Sequence, residues 1–311
     1  MSDSDTIMNN LEIGYRMGEK KRDPAAAGAS RGSLAAPGFD LELSMDCGQI
    51  FGWVKEDGAY TGIIAGSPVT IGQSGERVSF IAGPGLGKRH ILRYLGLDED
   101  LDEIIASVVR DDYMKRVVTA ARGLRLLKQD PWPCLCSYIL SSNNRVDRID
   151  KLVKEIAARY GTRHEIEGRE VFSLPGPEAL AACGESNMRA CGVGFRAPYL
   201  LKAGEMVAGG EVDLAAVDEM PYDDARELLM TIPGVGGKIA DCVLLFAFCK
   251  YEAFPVDVWI KRAMQQAYFD SKETKPEEIR RFAQEYFGRY AGYAQEYIYY
   301  YIREKPNGVS S

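Results

Sequence analysis

Between residues 223 and 257 the chain changes its hydrophobic period twice, and few folds accommodate that. Asp223-Asp224-Ala225-Arg226-Glu227-Leu228-Leu229-Met230 has helical spacing. Pro233, Gly234, Gly236 and Gly237 then break it. From Lys238 the helical pattern resumes, with Ile239, Val243 and Phe246 on one apolar face. The stretch reads as two helices, about 223–230 and 238–249, joined by a tight glycine-rich hairpin. Glycines there let the backbone approach a ligand closely, and N–H groups at the start of the second helix suit a phosphate. Lys238 falls in that first turn, where a helix dipole disfavours a cation. Asp257 ends the apolar run Phe254-Pro255-Val256 and stands at an N-cap position before Val258-Trp259-Ile260. Two readings are open: an ordinary helix–turn–helix with a solvated Lys238 and a merely capping Asp257, or a site that uses both.

The remaining chain bounds the choice. Its 311 residues can hold one large domain or two to three smaller ones. Apolar residues at 46% and charged residues at 27% suit a soluble globular protein. No run approaches the roughly 18 apolar residues of a membrane span, and the N-terminus has no apolar signal core, so no membrane partner is expected. Seven irregularly spaced cysteines suit free thiols in a reducing compartment. The net charge of −7 argues mildly against nucleic acid and predicts modest non-specific affinity for it. Backbone amides and a local basic strip can still hold phosphates.

The chain divides into a leader (1–37), a β domain with following helices (38–125) and helical domains (126–311). The leader is polar, with a Lys-Lys-Arg triplet at 20–22, and is expected to be disordered. Phe39, Leu41, Leu43 and Met45 alternate with polar residues, which predicts a first strand. Residues 49–54, 60–64, 68–71 and 78–81 continue the series, with Asp57-Gly58 and Ser74-Gly75 as hairpin turns. Residues 83–88 resemble a phosphate loop only superficially, since its first glycine would fall on Ala82 and Arg89 replaces the required Ser or Thr. Helices are predicted at about 101–109, 111–121, 132–141, 146–159, 177–182, 197–208, 223–230, 238–249, 257–268, 275–286 and 291–303. The fold class is α+β: an antiparallel sheet domain, then a mainly helical one. His90 and His164 lie far apart with no acidic or cysteine cluster, so no zinc site is expected. The last helix carries Tyr290, Tyr293, Tyr297, Tyr299, Tyr300 and Tyr301, suited to packing or to stacking on a base.

The segment Ile232-Pro-Gly-Val-Gly-Gly-Lys238, with Pro255-Val256-Asp257 ending nineteen residues after the lysine, resembles the helix-hairpin-helix DNA glycosylase superfamily. Within it the chain is most similar to the 8-oxoguanine DNA glycosylase family, over about residues 38–303. No cysteine follows Cys249, which removes the iron–sulfur cluster of the endonuclease III-like members. Gly48-Gln49-Ile50-Phe51-Gly52-Trp53 resembles the family's Gly-Gln segment, implying that the Gly48 carbonyl accepts the N7–H that guanine lacks. By the same resemblance Gln295 bonds the Watson–Crick edge of the damaged base, and Tyr299 and Cys242 cover its two faces. Asn143, Arg148 and Arg196 read the opposite cytosine, and Phe195 wedges beside the vacated space. Phe195 departs from the family's tyrosine. Trp259 departs from a phosphate-binding histidine of the eukaryotic enzymes and looks more like the clostridial-type bacterial branch, which leaves Lys261 or Arg262 as replacements.

The resemblance implies a bifunctional glycosylase and AP lyase acting on duplex DNA, with no cofactor, as a monomer. Lys238 attacks the sugar C1′ and forms a Schiff base; Asp257 stabilises the positive charge developing on the sugar. Attack needs the neutral amine, and a helix N-terminus and desolvation both disfavour the charged form. Gly234 and Gly236 amides hold a phosphate, and the carbonyls of Met230, Ile232 and Val235 could hold a structural monovalent cation. Two alternatives are an alkylated-base glycosylase on the same fold and a non-catalytic hairpin DNA-binding protein. The compartment follows the chromosome: cytoplasm in a bacterium, nucleus in a eukaryote.

Overall fold

In the computed structural model, which describes residues 29–304, the sheet begins earlier than the alternation suggests. Strand β1 (Ser30–Ala35) lies inside the stretch expected to be disordered, while the Lys-Lys-Arg triplet lies outside the described residues. The strand predicted over Phe39–Met45 is instead helix α1 (Leu41–Asp46), because Asp40 accepts a hydrogen bond from Leu43 N at 2.8 Å and caps it. Leu41, Ser44 and Met45 then face inward at helical spacing. Of residues 49–54 only Val54 is in a strand, β2 (Val54–Glu56); the rest is irregular. Strands β3 (Ala59–Ile64), β4 (Ser67–Ser74) and β5 (Arg77–Ala82) follow as expected.

The five strands form one antiparallel sheet in the order β1-β5-β4-β3-β2, with Ile71 opposite Phe80. Leu34, Val69, Ile71, Val78 and Phe80 share one core with Leu41 and Met45 of α1 and with Ile91, Tyr94 and Leu95 at the end of α2 (Lys88–Tyr94). Helices α3 (Leu101–Val108) and α4 (Asp112–Ala120) lie in the segment counted with the β domain, yet bury Ile104, Val108, Met114 and Val117 in the helical core.

That core also takes α5 (Pro131–Leu140), α6 (Val146–Tyr160), α7 (Pro177–Ala181), α8 (Glu185–Ala190), α9 (Ala197–Ala208), α10 (Leu214–Glu219), α11 (Tyr222–Met230), α12 (Gly237–Phe248), α13 (Val258–Tyr268), α14 (Pro276–Phe287) and α15 (Ala291–Glu304). Strands β6 (Thr162–Ile166) and β7 (Arg169–Ser173) form a hairpin between α6 and α7 that the sequence reading did not foresee. Segment 124–130 joins the two cores. Lys128 N donates to Tyr94 O at 2.9 Å, and Gln129 N to Phe246 O at 2.8 Å. All seven cysteines are free, and burial pushes every thiol above its ordinary value.

Candidate active site

The hairpin forms as its residues require. Gly234 has φ +85°, and a Cβ there would lie 2.5 Å from the Tyr199 ring, so only glycine fits. Gly236 is the N-cap of α12, and no side chain caps that end. Its N–H groups therefore suit an external acceptor. Behind it, Val235 N donates to Ile232 O at 3.0 Å, which leaves that carbonyl one lone pair for a cation.

Lys238 is the second residue of α12 and only half-buried. Its Nζ donates to Ser141 Oγ at 3.2 Å and lies 5.3 Å from the centre of the Tyr138 ring. Tyr138 is held flat against Phe246, stacked at 5.5 Å, and its hydroxyl donates to Gln49 O at 3.0 Å. Asp257 is the N-cap of α13, its Oδ1 accepting from Ile260 N at 2.7 Å. One turn along from Lys238, the buried Cys242 thiol is pushed up to about 12 by burial, opposed by Lys238 and reinforced by Asp241 and Asp257. Lys238 and Asp257 thus both lie near enough to Cys242 to shift its thiol, from opposite signs of charge.

The opposite wall is the loop after α1. Gly48 has φ +98°, and a Cβ would sit 2.6 Å from Arg303 Nη1 and 3.3 Å from Val146 Cγ2. Buried Gln49 braces the loop: its Nε2 donates to Ser44 O and Arg125 O, both at 2.9 Å, and its Oε1 accepts from Leu127 N at 2.9 Å. Arg303 of α15 donates to Cys47 O at 2.5 Å and Asp46 O at 2.7 Å. Gln295 is 5% exposed and its Oε1 has no hydrogen-bond partner. Half-buried Tyr299 has its phenol pushed to about 12, by burial first and by Glu296 and Asp257 next. The structure therefore brings Gly48, Cys242 and Tyr299 to the same end of the molecule as Lys238 and Asp257.

The residues expected to read the opposite base form a second group. Phe195 is 50% exposed in a 3₁₀ turn (Gly194–Arg196), with the Arg196 guanidinium 4.4 Å from its ring centre. Arg196 itself is buried and donates to the carbonyls of Ser142 (Nε, 2.9 Å; also Nη2), Asn143 (Nη2, 3.0 Å) and Val193 (Nη1, 3.2 Å). Four of its five N–H groups are thereby engaged, so here it shapes the 142–143 loop. Asn143, at φ +48°, and Arg148 are both exposed beside it.

Residues 33–135 match the 8-oxoguanine DNA glycosylase N-terminal domain, and residues 136–289 match the HhH-GPD superfamily base excision DNA repair protein. A probable N-glycosylase/DNA lyase of Methanothermobacter thermautotrophicus is 32% identical over 85% of this chain and 94% of its own length. The N-glycosylase/DNA lyase OGG1 of Arabidopsis thaliana is 30% identical over 86% and 77%. The Clostridium acetobutylicum 8-oxoguanine glycosylase/lyase, solved with duplex DNA containing cytosine opposite 8-oxoguanine, superposes with a TM-score of 0.81 at 34% identity, covering 86% of this chain and 93% of that one. The chain belongs to the 8-oxoguanine DNA glycosylase family.

Within this family frame the two departures are visible on the surface. Trp259 is 59% exposed with the Arg262 guanidinium 5.5 Å from its ring centre, whereas Lys261 is ion-paired with Glu273. Arg262 is thus the freer of the two cations proposed to replace the histidine. Both histidines have structural partners: His90 Nδ1 accepts from Gly87 N at 3.1 Å, and His164 meets Ser173 Oγ at 3.2 Å. Sequence reasoning missed Tyr138, Ser141, Arg303 and Glu296. For Glu296 a signal existed, since an acid within the apolar Tyr293-to-Ile302 run is unusual.

Proposed function

We infer that the protein is a bifunctional DNA glycosylase and AP lyase that removes 8-oxoguanine opposite cytosine from duplex DNA in base excision repair. The observation that carries this reading is the convergence of Lys238 and Asp257 beside Cys242, at a glycine hairpin whose helix N-terminus has no side-chain cap. The hairpin amides of Gly234 and Gly236 hold a backbone phosphate, with the Met230, Ile232 and Val235 carbonyls available to a monovalent cation. The damaged base leaves the stack, at a cost of a few kcal/mol, and enters the space bounded by Gly48, Cys242, Gln295 and Tyr299. The Gly48 carbonyl accepts its N7–H; guanine would set a lone pair against that carbonyl.

The neutral Lys238 amine attacks C1′ as the C1′–N9 bond breaks, and the electron pair leaves on the base, which takes up a proton. Asp257 offsets the positive charge that develops on the sugar. Loss of the amine proton and opening of the sugar ring give the Schiff base. Removal of a C2′ proton then expels the 3′ phosphate. Phe195 fills the gap, while Arg148 and Asn143 read cytosine; Arg196 supports them by holding the 142–143 carbonyls. The reading implies action on chromosomal DNA, in a bacterial cytoplasm or a eukaryotic nucleus, by a monomer.

Borohydride should trap the wild-type protein on 8-oxoguanine DNA, and Lys238→Gln should lose the adduct while keeping duplex affinity. An adduct of normal yield in the variant would overturn Lys238 as nucleophile. Release of alkylated bases but not 8-oxoguanine would favour the alkylated-base alternative instead. Rates opposite all four bases should be fastest for cytosine, and Arg148→Met should flatten the profile.

A further inference from the structure

Helix α1 ends at Asp46 with Cys47 as its C-cap, and the last carbonyls of any helix lack partners within it. Here the partners come from elsewhere. Ser44 O accepts from Gln49 Nε2 at 2.9 Å, while Asp46 O and Cys47 O accept from the two Nη groups of Arg303, at 2.7 and 2.5 Å. Past Gly48 the Gln49 carbonyl is held as well, by Gln129 Nε2 at 2.7 Å and Tyr138 Oη at 3.0 Å. Gly48 is the exception: among the described residues none donates to its carbonyl. The loop is thus fixed on both sides of one open acceptor.

Arg303 suits that task in shape as well as in charge. Its planar fork spans two successive carbonyls, which a single lysine ammonium would not hold in one geometry. The guanidinium also lies against Gly48, where any Cβ would meet Nη1. Arg303 stands four residues after Tyr299 and eight after Gln295, so the three share one face of α15. One helix therefore carries two residues assigned above to the lesion base and holds the loop that bears the third.

We propose that Arg303 is a positioning residue for lesion recognition: its guanidinium fixes the Asp46 and Cys47 carbonyls and so aims the Gly48 carbonyl at the extruded base. This rests on the reading of that carbonyl as the acceptor of the 8-oxoguanine N7–H. Arg303 acts only through the loop, and nothing assigned to the sugar or the phosphates depends on it. If it merely closed the end of α1, its loss would lower stability and every activity together. Aim is separable from that, because only a flipped base meets the Gly48 carbonyl.

The test sets two substrates side by side in single-turnover reactions. One duplex carries 8-oxoguanine opposite cytosine; the other carries a preformed abasic site opposite cytosine, which needs Lys238 but presents no base. In Arg303→Met, excision of 8-oxoguanine should fall about tenfold to a hundredfold while abasic-site cleavage stays near the wild-type rate. Arg303→Lys keeps a donor but not the fork, and its excision rate should lie between those of the wild type and Arg303→Met. Affinity titrations in a Lys238→Gln background give a second readout: Arg303→Met should narrow the preference for an 8-oxoguanine duplex over a guanine one by about threefold or more. Equal proportional losses on the two substrates, or an unchanged lesion preference, overturn the assignment. Where Arg303→Met fails to fold, Arg303→Lys decides by the same ratio of rates. Wild-type protein that cleaves the abasic site yet releases no 8-oxoguanine would sink the substrate reading and this assignment with it.

Discussion

Asp257 makes an observed cap and carries a proposed catalytic charge, and one substitution separates the two. Its Oδ1 caps α13 through Ile260 N, and an asparagine oxygen can do the same. Asp257→Asn should hold thermal stability within about 0.5 kcal/mol, while Asp257→Ala loses about 1 kcal/mol with the cap. Both should slow excision by about a hundredfold or more, since the charge proposed to face the sugar is gone. Melting curves beside single-turnover rates check the split; an active Asn variant would reduce Asp257 to a cap. Glu296 makes a prediction of opposite kind. Its folded value near 7 lies above the ordinary 4.5, so the native state holds a proton that the unfolded chain releases between those limits. Its contribution is fully present below about 4.5 and is lost as pH rises through 7, a change of about 3 kcal/mol. Glu296→Gln should therefore match the wild type in urea unfolding at the acid end and exceed it above 7. Equal stabilities on the alkaline side would show that the carboxyl is not held in its acid form.

At the scale of elements, the hairpin is held by a buried ion pair rather than by its turn alone. Asp241 of α12 accepts from Arg226 Nε and Tyr222 Oη of α11, both at 2.7 Å, and Arg280 of α14 donates to Tyr222 Oη at 3.2 Å. Asp241→Ala leaves Arg226 only its looser pair with Glu277 at 3.5 Å, which should cost about 2–3 kcal/mol in urea unfolding and weaken duplex binding with it. A loss under about 1 kcal/mol would mean that packing alone holds α11 to α12. Helices such as α6, α9 and α12 were legible because their length lets the apolar period declare itself, and Lys238 and Asp257 because they stand at marked helix ends. Six-residue α1 was not, since its Leu-x-Leu-x-Met spacing fits a strand as well and only the Asp40 cap decides. Strand β1, Ser-Arg-Gly-Ser-Leu-Ala, has too few apolar residues to show alternation; it depends on pairing with distant β5. The same distance hid Arg303, whose partners Asp46 and Cys47 lie at the other end of the chain. Arg196 was expected at the opposite base, and its engagement with the 142–143 carbonyls was not foreseen.

Over the whole molecule, a net charge of −7 must coexist with a polyanionic partner. Phosphates met by backbone amides release few counterions, and each lysine or arginine contact steepens the salt dependence by about 0.9 in the log–log slope. With a net charge of −7 and phosphates proposed to meet the hairpin amides, that slope should lie at about −2 to −4 for Lys238→Gln on an 8-oxoguanine duplex. Anisotropy titrations across salt concentrations measure it, and a slope near −10 would require a basic surface. The seven free cysteines matter at this scale too. Guanine is oxidised at C8 by the same reactive oxygen that attacks protein sulfur, and peroxide reacts with thiolate far faster than with thiol. With every thiol raised by burial, the chain presents little thiolate, Cys242 beside the lysine included. Peptide mass spectra after peroxide exposure should show Cys242 unmodified, leaving the catalyst intact in the oxidative burst that produces its substrate.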